Sequence, residues 1–261
     1  MDDLSRVIVW VSAGAASAVA AMLAKREYNP ERIVYAYCET GGEHPDNERF
    51  LSDLSRHLNV EITRLRSEKY SSTWDVWEDR SYLAGIGGAP CTDLLKVEPR
   101  LAFQRPGDVH VFGYTSDASD VKRAARLRLN YPDMQIVTPL IDAGLNKGAC
   151  LAMLAGAGLK EPVLYGLGFP NNNCIPCVKA TSPAYWALVR LRFPDAFDRM
   201  ARLARELDVK LAIVGTETGA DGKRRNVRAF IDDIPADQPT LAPIVPSCDF
   251  LCHLAEMGLN P

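Results

Sequence analysis

Short apolar runs rich in β-branched residues alternate with segments of helical pattern along most of the sequence. The runs occupy residues 6–11, 32–38, 60–66, 108–115 and 135–140. Between them lie helical segments, among them the alanine-rich residues 15–26 and the amphipathic residues 45–58. Short continuous apolar runs fit strands that are buried on both faces. Their alternation with helices predicts an α/β fold with a mainly parallel, doubly wound sheet.

The character of the sequence changes near residue 158, where a segment rich in Gly, Pro and Asn begins. We predict a nucleotide-binding α/β domain over residues 1–157 and an extension over residues 158–261 that packs on the same domain. Within the extension the pattern predicts helices at 184–192 and 194–207 and one strand at 211–215. Residues 216–226 are polar and glycine-containing, which predicts a mobile loop.

The longest uncharged run, residues 7–24, is interrupted by Ser12, Gly14 and Ser17, so we interpret it as a strand and a helix rather than a membrane span. The first residues are acidic and lack the basic region of a signal peptide. These features predict a cytoplasmic protein without a membrane association. A net charge of −3 gives no sign of a nucleic-acid binder from bulk electrostatics, although local basic clusters can serve that purpose.

The turn between the first strand and the first helix is made of small residues. A turn of this kind lets backbone N–H groups converge on an anion at the positive end of a helix, and the two serines add hydroxyl groups. Small residues are also common in any strand-to-helix turn, so the motif alone fits a phosphate cradle and an ordinary turn equally well. The residues are Ser12, Ala13, Gly14, Ala15, Ala16 and Ser17.

Five of the seven cysteines fall in three places, which is unusual for a reducing compartment unless thiols ligate a metal or react. Cys174 and Cys177 form a C-x-x-C, and Cys248 and Cys252 form a C-x-x-x-C. Cys91 lies at the predicted start of a helix, where a thiolate is favoured. The set indicates an iron–sulfur cluster or a zinc ion, for which His253 is a further candidate ligand, or else a group of buried, inert thiols.

Three other clusters follow predicted strands or turns. Residues 38–50 place carboxylates and glycines after the second strand, where they suit a ribose or Mg²⁺, or cap the next helix as a solvated turn. Lys96 lies on the same predicted helix as Cys91. Taken alone, Cys91 is better interpreted as a small buried residue beside a helix cap, and Lys96 as a solvated side chain. A basic helix that includes Lys122, Arg123, Arg126 and Arg128 follows the fourth strand, and arginine suits phosphate or sulfate; for Arg126 and Arg128 we favour a solvated surface.

Taken in order, these motifs resemble the phosphoadenosine phosphosulfate (PAPS) reductase family of the PP-loop, or adenine nucleotide α-hydrolase-like, superfamily. Residues 12–17 resemble the S-G-G-x-x-S pyrophosphate loop, with Ala13 in place of its first glycine. Cys91, Lys96 and Pro99 resemble the C-x-x-x-x-K-x-x-P segment near the nucleotide. Residues 171–186 resemble a segment rich in asparagine and cysteine that is seen in uncharacterised members. The resemblance spans residues 7–252.

The resemblance implies a five-stranded parallel sheet, an adenine nucleotide (ATP, PAPS or adenosine phosphosulfate) in the crevice, and sulfur chemistry. It implies a 4Fe-4S cluster that takes one of Cys248 and Cys252 as a ligand and leaves the other as the nucleophile; we assign Cys252 as the catalytic thiol and Lys96 as a second catalytic residue. The implied cluster ligands are Cys91, Cys174, Cys177 and Cys248. The implied nucleotide-binding residues are those of the 12–17 loop together with Thr40, Gly41, Gly113 and Arg123. Implied partners are a thiol reductant or sulfur donor, a nucleic-acid substrate and a second copy of the chain in a homodimer.

The sequence also departs from the family pattern. Ala16 stands where adenylating members have an aspartate, so the loop offers no carboxylate to Mg²⁺, and Thr92 follows Cys91 where cluster-containing reductases have a second cysteine. Asp117 and Asp120 stand where a glutamate is expected. The leading interpretation is sulfur transfer or reduction on a nucleotide-linked substrate. The alternatives are a PP-loop ATP pyrophosphatase that adenylates a tRNA or DNA component for thiolation, and a non-enzymatic nucleotide-binding protein with zinc on Cys174, Cys177, Cys248 and Cys252.

Overall fold

The computed structural model describes residues 5–85 and 88–242, and its central feature is a five-stranded sheet. All neighbouring strands are parallel, in the order β3-β2-β1-β4-β5. The strands are β1 (Val7–Val11), β2 (Ile33–Cys38), β3 (Ile62–Leu65), β4 (Val109–Phe112) and β5 (Gln135–Val137). The prediction of a doubly wound α/β fold on a five-stranded parallel sheet is confirmed.

Helices connect and cover the strands. In the first part of the chain they are α1 (Ala15–Glu27), α2 (Asp46–Leu58), α3 (Thr73–Arg80), α4 (Pro90–Thr92), α5 (Glu98–Phe103) and α6 (Ala118–Asn130), with a π-helical turn at Asp93–Val97 between α4 and α5. After β5 come α7 (Pro139–Asp142), α8 (Lys147–Gly156), α9 (Val163–Gly166), α10 (Pro183–Arg192) and α11 (Pro194–Glu206). Short 3₁₀ turns lie at Pro30–Arg32 and Ile231–Asp233. None of the helices in the described ranges is long and apolar enough to cross a membrane.

Strand β1 is buried on both faces, as its composition predicts. Val7, Val9 and Val11 pack into a core that α1, α2 and α8 complete, whereas Ile8 and Trp10 belong to a second cluster on the opposite face. The alanines of α1 keep this helix narrow, so it packs closely against the sheet and against α8. The close approach fixes the first turn of α1 at the end of β1.

A further apolar cluster joins the middle of the chain to the extension. Trp77, Leu83 and Ala89 pack in it with residues of α10 and α11, among them Trp186 and Met200. The segment that carries Cys91 therefore shares its packing with the segment that follows Cys177. The domain boundary near residue 158 stays a prediction.

Residues 216–218 and 224–226 of the segment expected to be a loop lie in strands, so the helical and loop description of the extension was incomplete. Strands β6 (Ala212–Thr218) and β7 (Arg224–Ala229) form an antiparallel two-stranded sheet of their own. Glu217 lies opposite Arg225, and Gly222 adopts φ +71° in the connecting turn. Opposite charges across the strands and a glycine in the turn favour a hairpin, although no apolar alternation marks it in the sequence.

Candidate nucleotide and thiol site

The strand order places the loops after β1 and β4 at the switch point of the sheet, because β1 leads to β2 on one side and β4 lies on the other. In open α/β sheets ligands bind beyond the carboxyl ends of the strands at this point. The loop after β2 and the segment before α10 meet the same edge. These segments carry the sequence-predicted site residues.

The 12–17 loop is held by its own serines. The Ser17 hydroxyl accepts a hydrogen bond from the Ser12 N–H (3.0 Å), lies 3.1 Å from the Ser12 hydroxyl and donates to the Gly14 carbonyl (3.0 Å). Ala13 adopts φ +54°, the left-handed conformation in which a glycine costs least. The family pattern has a glycine at this position, and the backbone keeps the conformation despite the alanine.

Most amides of the loop remain available to an anion. The Ala15 N–H donates to the Tyr165 hydroxyl (3.2 Å). Among the described residues, the N–H groups of Gly14, Ala16 and Ser17 have no hydrogen-bond acceptor. The loop thus offers three amides at the positive end of a 13-residue helix, without a charged side chain.

Gly113, predicted to bind nucleotide, lies against this loop. A Cβ at residue 113 would fall 2.7 Å from both N and Cα of Ser17 and 2.9 Å from the Ala16 carbonyl carbon. The glycine lets β4 approach the first turn of α1, and this is a packing reason for its presence that needs no ligand contact. Its direct role in nucleotide binding stays a prediction.

The loop after β2 carries a buried carboxylate. Glu43 accepts hydrogen bonds from the Tyr37 hydroxyl and the Asn47 amide (3.0 Å), and its other oxygen lies 3.4 Å from the Lys96 ammonium. Gly41 adopts φ +59°, and a Cβ there would overlap the Ser71 carbonyl oxygen. Gly41 thus serves close packing of two loops.

Lys96 lies on the π-helical turn between α4 and α5, beside two thiols as well as Glu43. Burial disfavours its charge, but Glu43, Cys174 and Cys38 outweigh burial and hold the pKa of Lys96 above its usual value. In return Lys96 opposes the rise in pKa that burial causes at Cys174, which is raised to about 11. The Thr40 hydroxyl lies 3.1 Å from the Cys174 sulfur and also favours the thiolate.

The C-x-x-C segment is anchored on the β2 loop rather than free. The Ile175 N–H donates to the Gly42 carbonyl (2.7 Å), and the Cys177 N–H donates to the Tyr185 hydroxyl (2.7 Å). Cys177 contributes to the raised pKa of Cys174, so the two thiols are neighbours. The sequence-predicted pair is thus held at the edge of the sheet beside Thr40.

Cys91 lies in the first turn of α4, at a helix start as predicted, but the thiolate that a helix start by itself favours is not favoured here. Burial raises the pKa of Cys91, and it outweighs the opposing influence of the nearby Trp77 indole N–H, which does not reach hydrogen-bond geometry. Cys177 also raises the pKa of Cys91, so the two thiols are neighbours. The apolar surroundings explain the difference from the expectation.

Within residues 5–85 and 88–242, no three His, Cys, Asp or Glu side chains are arranged to hold a metal ion. Cys91, Cys174 and Cys177 lie in one neighbourhood, yet they are not in ligating geometry. Cys248, Cys252 and His253 lie outside the described residues. The described thiols alone therefore do not make a metal centre.

Asn172 joins the two halves of the site and was missed by sequence reasoning. Its side-chain nitrogen donates to the Ala13 carbonyl (2.6 Å) and to the Asn47 side-chain oxygen (2.7 Å). Asn172 is 7% exposed, and its own side-chain oxygen is buried without a partner. The only signal in the sequence is the run of three asparagines before Cys174.

The loop after β4 is organised by carboxylates. Asp120 accepts from the Thr115 N–H (3.1 Å) and hydroxyl (3.0 Å) and pairs with Arg123 (2.8 Å). The Arg123 guanidinium also lies over the Tyr114 ring, 5.2 Å from its centroid. Arg123 is therefore at the predicted edge of the sheet and already paired with a carboxylate.

Lys147 is a further cation at this edge that sequence reasoning missed. Its backbone N–H donates to Asp117 (3.2 Å), and its ammonium donates to the Pro170 carbonyl (2.9 Å). Burial lowers the pKa of Lys147, although Asp120 and Asp117 oppose the shift. Lys147 connects the start of α8 to the asparagine-rich segment.

No protein-family model matches the sequence, and no curated protein is significantly similar to it. Two solved structures match the fold with probability 1.00. One is a phosphoadenylyl-sulfate (PAPS) reductase from Candida auris in a phosphate complex, with 12% identity and a TM-score of 0.47 over 66% of this chain and 82% of that chain. The other is the U34-tRNA thiolase NcsA from Methanococcus maripaludis with its 4Fe-4S cluster, with 16% identity and a TM-score of 0.45 over 83% of this chain and 77% of that chain. Both are proteins of the kind that the sequence motifs resemble. The likeness concerns the fold, and the substrates and the cluster are those of the two named proteins.

Proposed function

We propose that this chain is an enzyme that binds an adenine nucleotide on the 12–17 loop and carries out sulfur transfer or reduction on a nucleotide-linked substrate. One observation carries the proposal: a loop with free amides and a thiol pair are joined by one short segment. The Asn172 side-chain nitrogen donates a hydrogen bond to the Ala13 carbonyl (2.6 Å). Two residues later, the Cys174 sulfur lies 3.1 Å from the Thr40 hydroxyl. A phosphate on the loop would therefore lie at the same edge of the sheet as the thiols.

The nucleotide half of the proposal rests on the amides of the loop. Three N–H groups at a helix start can hold a phosphate by hydrogen bonds, and the dipole of α1 favours the negative charge. The loop has no cation, so charge compensation falls to Lys96 and Arg123, with Lys147 as a third cation at this edge. Thr40, Gly41 and Gly113 complete the proposed nucleotide-binding set.

The thiol half of the proposal rests on Lys96. Its ammonium lies beside Cys174 and Cys38 and opposes the rise in pKa that burial imposes on both thiols. In the proposed reduction a thiolate, assigned to Cys252, attacks the sulfur of a nucleotide-linked sulfate, and the bond from sulfur to the nucleotide phosphate oxygen breaks. A second thiol, from the protein or a thiol reductant, then displaces sulfite and forms a disulfide, so two thiols supply the two electrons.

We also propose that Cys91, Cys174 and Cys177 bind a 4Fe-4S cluster together with Cys248. The donor set suits such a cluster because three thiols share one neighbourhood beside a cation. Their present geometry does not ligate a metal, and the proposed fourth ligand, Cys248, lies outside the described residues. A bound cluster would supply electron transfer or an electrostatic contact with the substrate. The zinc alternative uses Cys174, Cys177, Cys248 and Cys252 and predicts a colourless protein.

The test is an activity and metal assay on the anaerobically purified chain. Sulfite release from PAPS or adenosine phosphosulfate with a thiol reductant supports the proposal, whereas pyrophosphate release from ATP without sulfite points to adenylation. Iron and labile sulfide in stoichiometric amounts support the cluster, whereas zinc alone excludes it. Cys174→Ala should abolish metal binding and turnover. Cys150→Ala is the matched control, because Cys150 belongs to α8 and is buried in the core. Binding of neither nucleotide would refute the proposal.

A further inference from the structure

The β6–β7 hairpin is an exposed two-stranded ribbon that the proposed chemistry does not use. From Val214 to Thr218 and from Arg224 to Arg228 its residues are exposed. Its base is tied to the extension by the Ile213 N–H, which donates to the Thr181 carbonyl (2.8 Å). The ribbon is an anchored element that presents both faces to solvent.

The ribbon is basic in a chain of net negative charge. Residues 210–229 hold five lysines and arginines and two acidic residues, whereas the whole chain has a net charge of −3. The strand pairing distributes these charges between two faces, because Thr216 lies opposite Asn226 and Thr218 lies opposite Arg224. Residues two apart along a strand share a face. The face that we name the arginine face consists of Thr216, Thr218, Arg224, Asn226 and Arg228.

The arginine face has donors without acid partners. Within the described part of the chain, neither Arg224 nor Arg228 forms an ion pair; Arg224 donates to the Thr216 hydroxyl (3.1 Å) and Arg228 to the carbonyls of Lys210 and Leu211 (3.4 Å each). The opposite face is different, because Glu217 lies across from Arg225 and Arg225 pairs with Asp221 (2.7 Å). Among the described residues, arginines without acidic partners are therefore confined to one face of the ribbon, and solubility alone does not require this separation.

We infer that the arginine face binds double-stranded DNA. An arginine guanidinium can donate two hydrogen bonds to one phosphate. Arg224 and Arg228 lie about 13 Å apart along an extended strand. A two-stranded ribbon fits the B-form major groove, which is about 12 Å wide, and Arg, Asn and Thr side chains there contact base edges. The major groove of double-stranded RNA is too narrow for side chains to read. The inference rests on the proposed function and deepens its sulfur-transfer form, in which DNA is the acceptor of the sulfur.

The test is fluorescence anisotropy with the full chain and a labelled DNA duplex of about two helical turns, without nucleotide, between about 50 and about 200 mM salt. The double variant Arg224→Gln/Arg228→Gln should bind more weakly, and its slope of log K against log salt should fall by about 2, since each lost phosphate contact removes about 0.9. The control Lys223→Gln/Arg225→Gln removes the same charge from the other face and the turn, and it should keep most of the slope. Circular dichroism verifies that both variants are folded.

Four outcomes would overturn the inference: no duplex binding by the natural chain, equal losses in the two double variants, tighter binding of double-stranded RNA, or competition by polyglutamate as strong as by DNA at equal charge. The last outcome would indicate an acidic protein partner. Because DNA binding is measured without nucleotide and sulfite release without DNA, failure of one proposal is distinguishable from failure of the other.

Discussion

Gly113→Ala is expected to displace the first turn of α1 and so to weaken both folding and nucleotide binding. The new methyl carbon would stand 2.7 Å from N and Cα of Ser17. Non-bonded carbon atoms prefer separations of at least about 3.5 Å, so roughly 0.8 Å has to be recovered by movement. The three nearest atoms that the methyl group would meet are backbone atoms of Ala16 and Ser17, so the clash is not relieved by the rotation of a side chain.

The cost follows from where this movement takes place. Ser17 is 3% exposed, and Val111 of β4 is completely buried, so neither side can relax into solvent. Overpacking of this kind costs about 1–3 kcal/mol of the free energy of unfolding. The same shift moves the amides of Gly14, Ala16 and Ser17, and a displacement approaching 1 Å weakens a phosphate site that relies on their convergence.

The assay is urea denaturation followed by tryptophan fluorescence, with ATP or PAPS binding measured by calorimetry on the same samples. Gly166→Ala is the matched control: Gly166 ends α9, and a Cβ there would meet no atom within 4 Å. This control should leave stability unchanged or raise it slightly. If Gly113→Ala is as stable as the natural chain, the packing argument is wrong. If it is destabilised but binds nucleotide normally, the 12–17 loop is not the phosphate site.

Three further predictions concern buried polar groups. Burial lowers the pKa of His110 to about 4, so protonation of His110 is less favourable in the folded state than in the unfolded state. The free energy of unfolding should fall by up to about 3 kcal/mol as the pH drops from about 6.5 to about 4. In urea titrations, His110→Gln should remove most of this dependence on pH. Lys96→Met removes a cation that favours the Cys174 thiolate, so alkylation of Cys174 by iodoacetamide at mildly alkaline pH should slow, as measured by mass spectrometry. Asn172→Leu leaves the Ala13 carbonyl without its donor, which should cost about 1–3 kcal/mol and weaken nucleotide binding in the same calorimetry.

Each of these three has a control and a contradicting result. His57 is exposed on α2, so His57→Gln should keep the acid slope, and an unchanged slope in His110→Gln would contradict the first prediction. Lys179 acts on Cys91 rather than on Cys174, so Lys179→Met should leave Cys174 alkylation unchanged; an equal rate of Cys174 alkylation in Lys96→Met and the natural chain would contradict the second prediction. Asn173 is exposed, and Asn173→Leu should change neither stability nor binding; equal effects at residues 172 and 173 would contradict the third prediction.

The sheet could be predicted because a strand that is apolar on both faces is expected to be buried on both faces. Val7, Val9 and Val11 on one face and Ile8 and Trp10 on the other leave no polar side for solvent, which is typical of a parallel sheet that is covered on both faces. The hairpin could not be predicted in this way. Its strands are held by cross-strand pairs such as Glu217 with Arg225 and by a glycine turn, and polar residues of this kind also fill ordinary loops.

The candidate site was predicted as separate motifs but not as contacts. The sequence places small residues at 12–17 and a C-x-x-C at 174–177. In the structure both segments lie at the edge of the sheet where its parallel strands end. The local sequence does not show that Glu43 pairs with Lys96. It also does not show that burial outweighs the helix start at Cys91 and raises the pKa of this thiol. These effects arise from side chains that are distant in sequence, and apolar surroundings are set by packing that no motif encodes.

The orientation of the Asn172 side chain shows what this residue is retained for. Its nitrogen faces two acceptors, the Ala13 carbonyl and the Asn47 side-chain oxygen, whose own nitrogen donates to Glu43. A rotated amide would set oxygen against oxygen at both contacts, so the orientation is fixed by its neighbours. The consequence is a buried oxygen without a partner, at a cost of about 1–3 kcal/mol. A hydrophobic residue would avoid this cost, but it would break the hydrogen-bonded connection from the 12–17 loop through Asn47 and Glu43 to Lys96. The asparagine is therefore explained by its two donations, which hold the phosphate loop and the thiol segment in one arrangement.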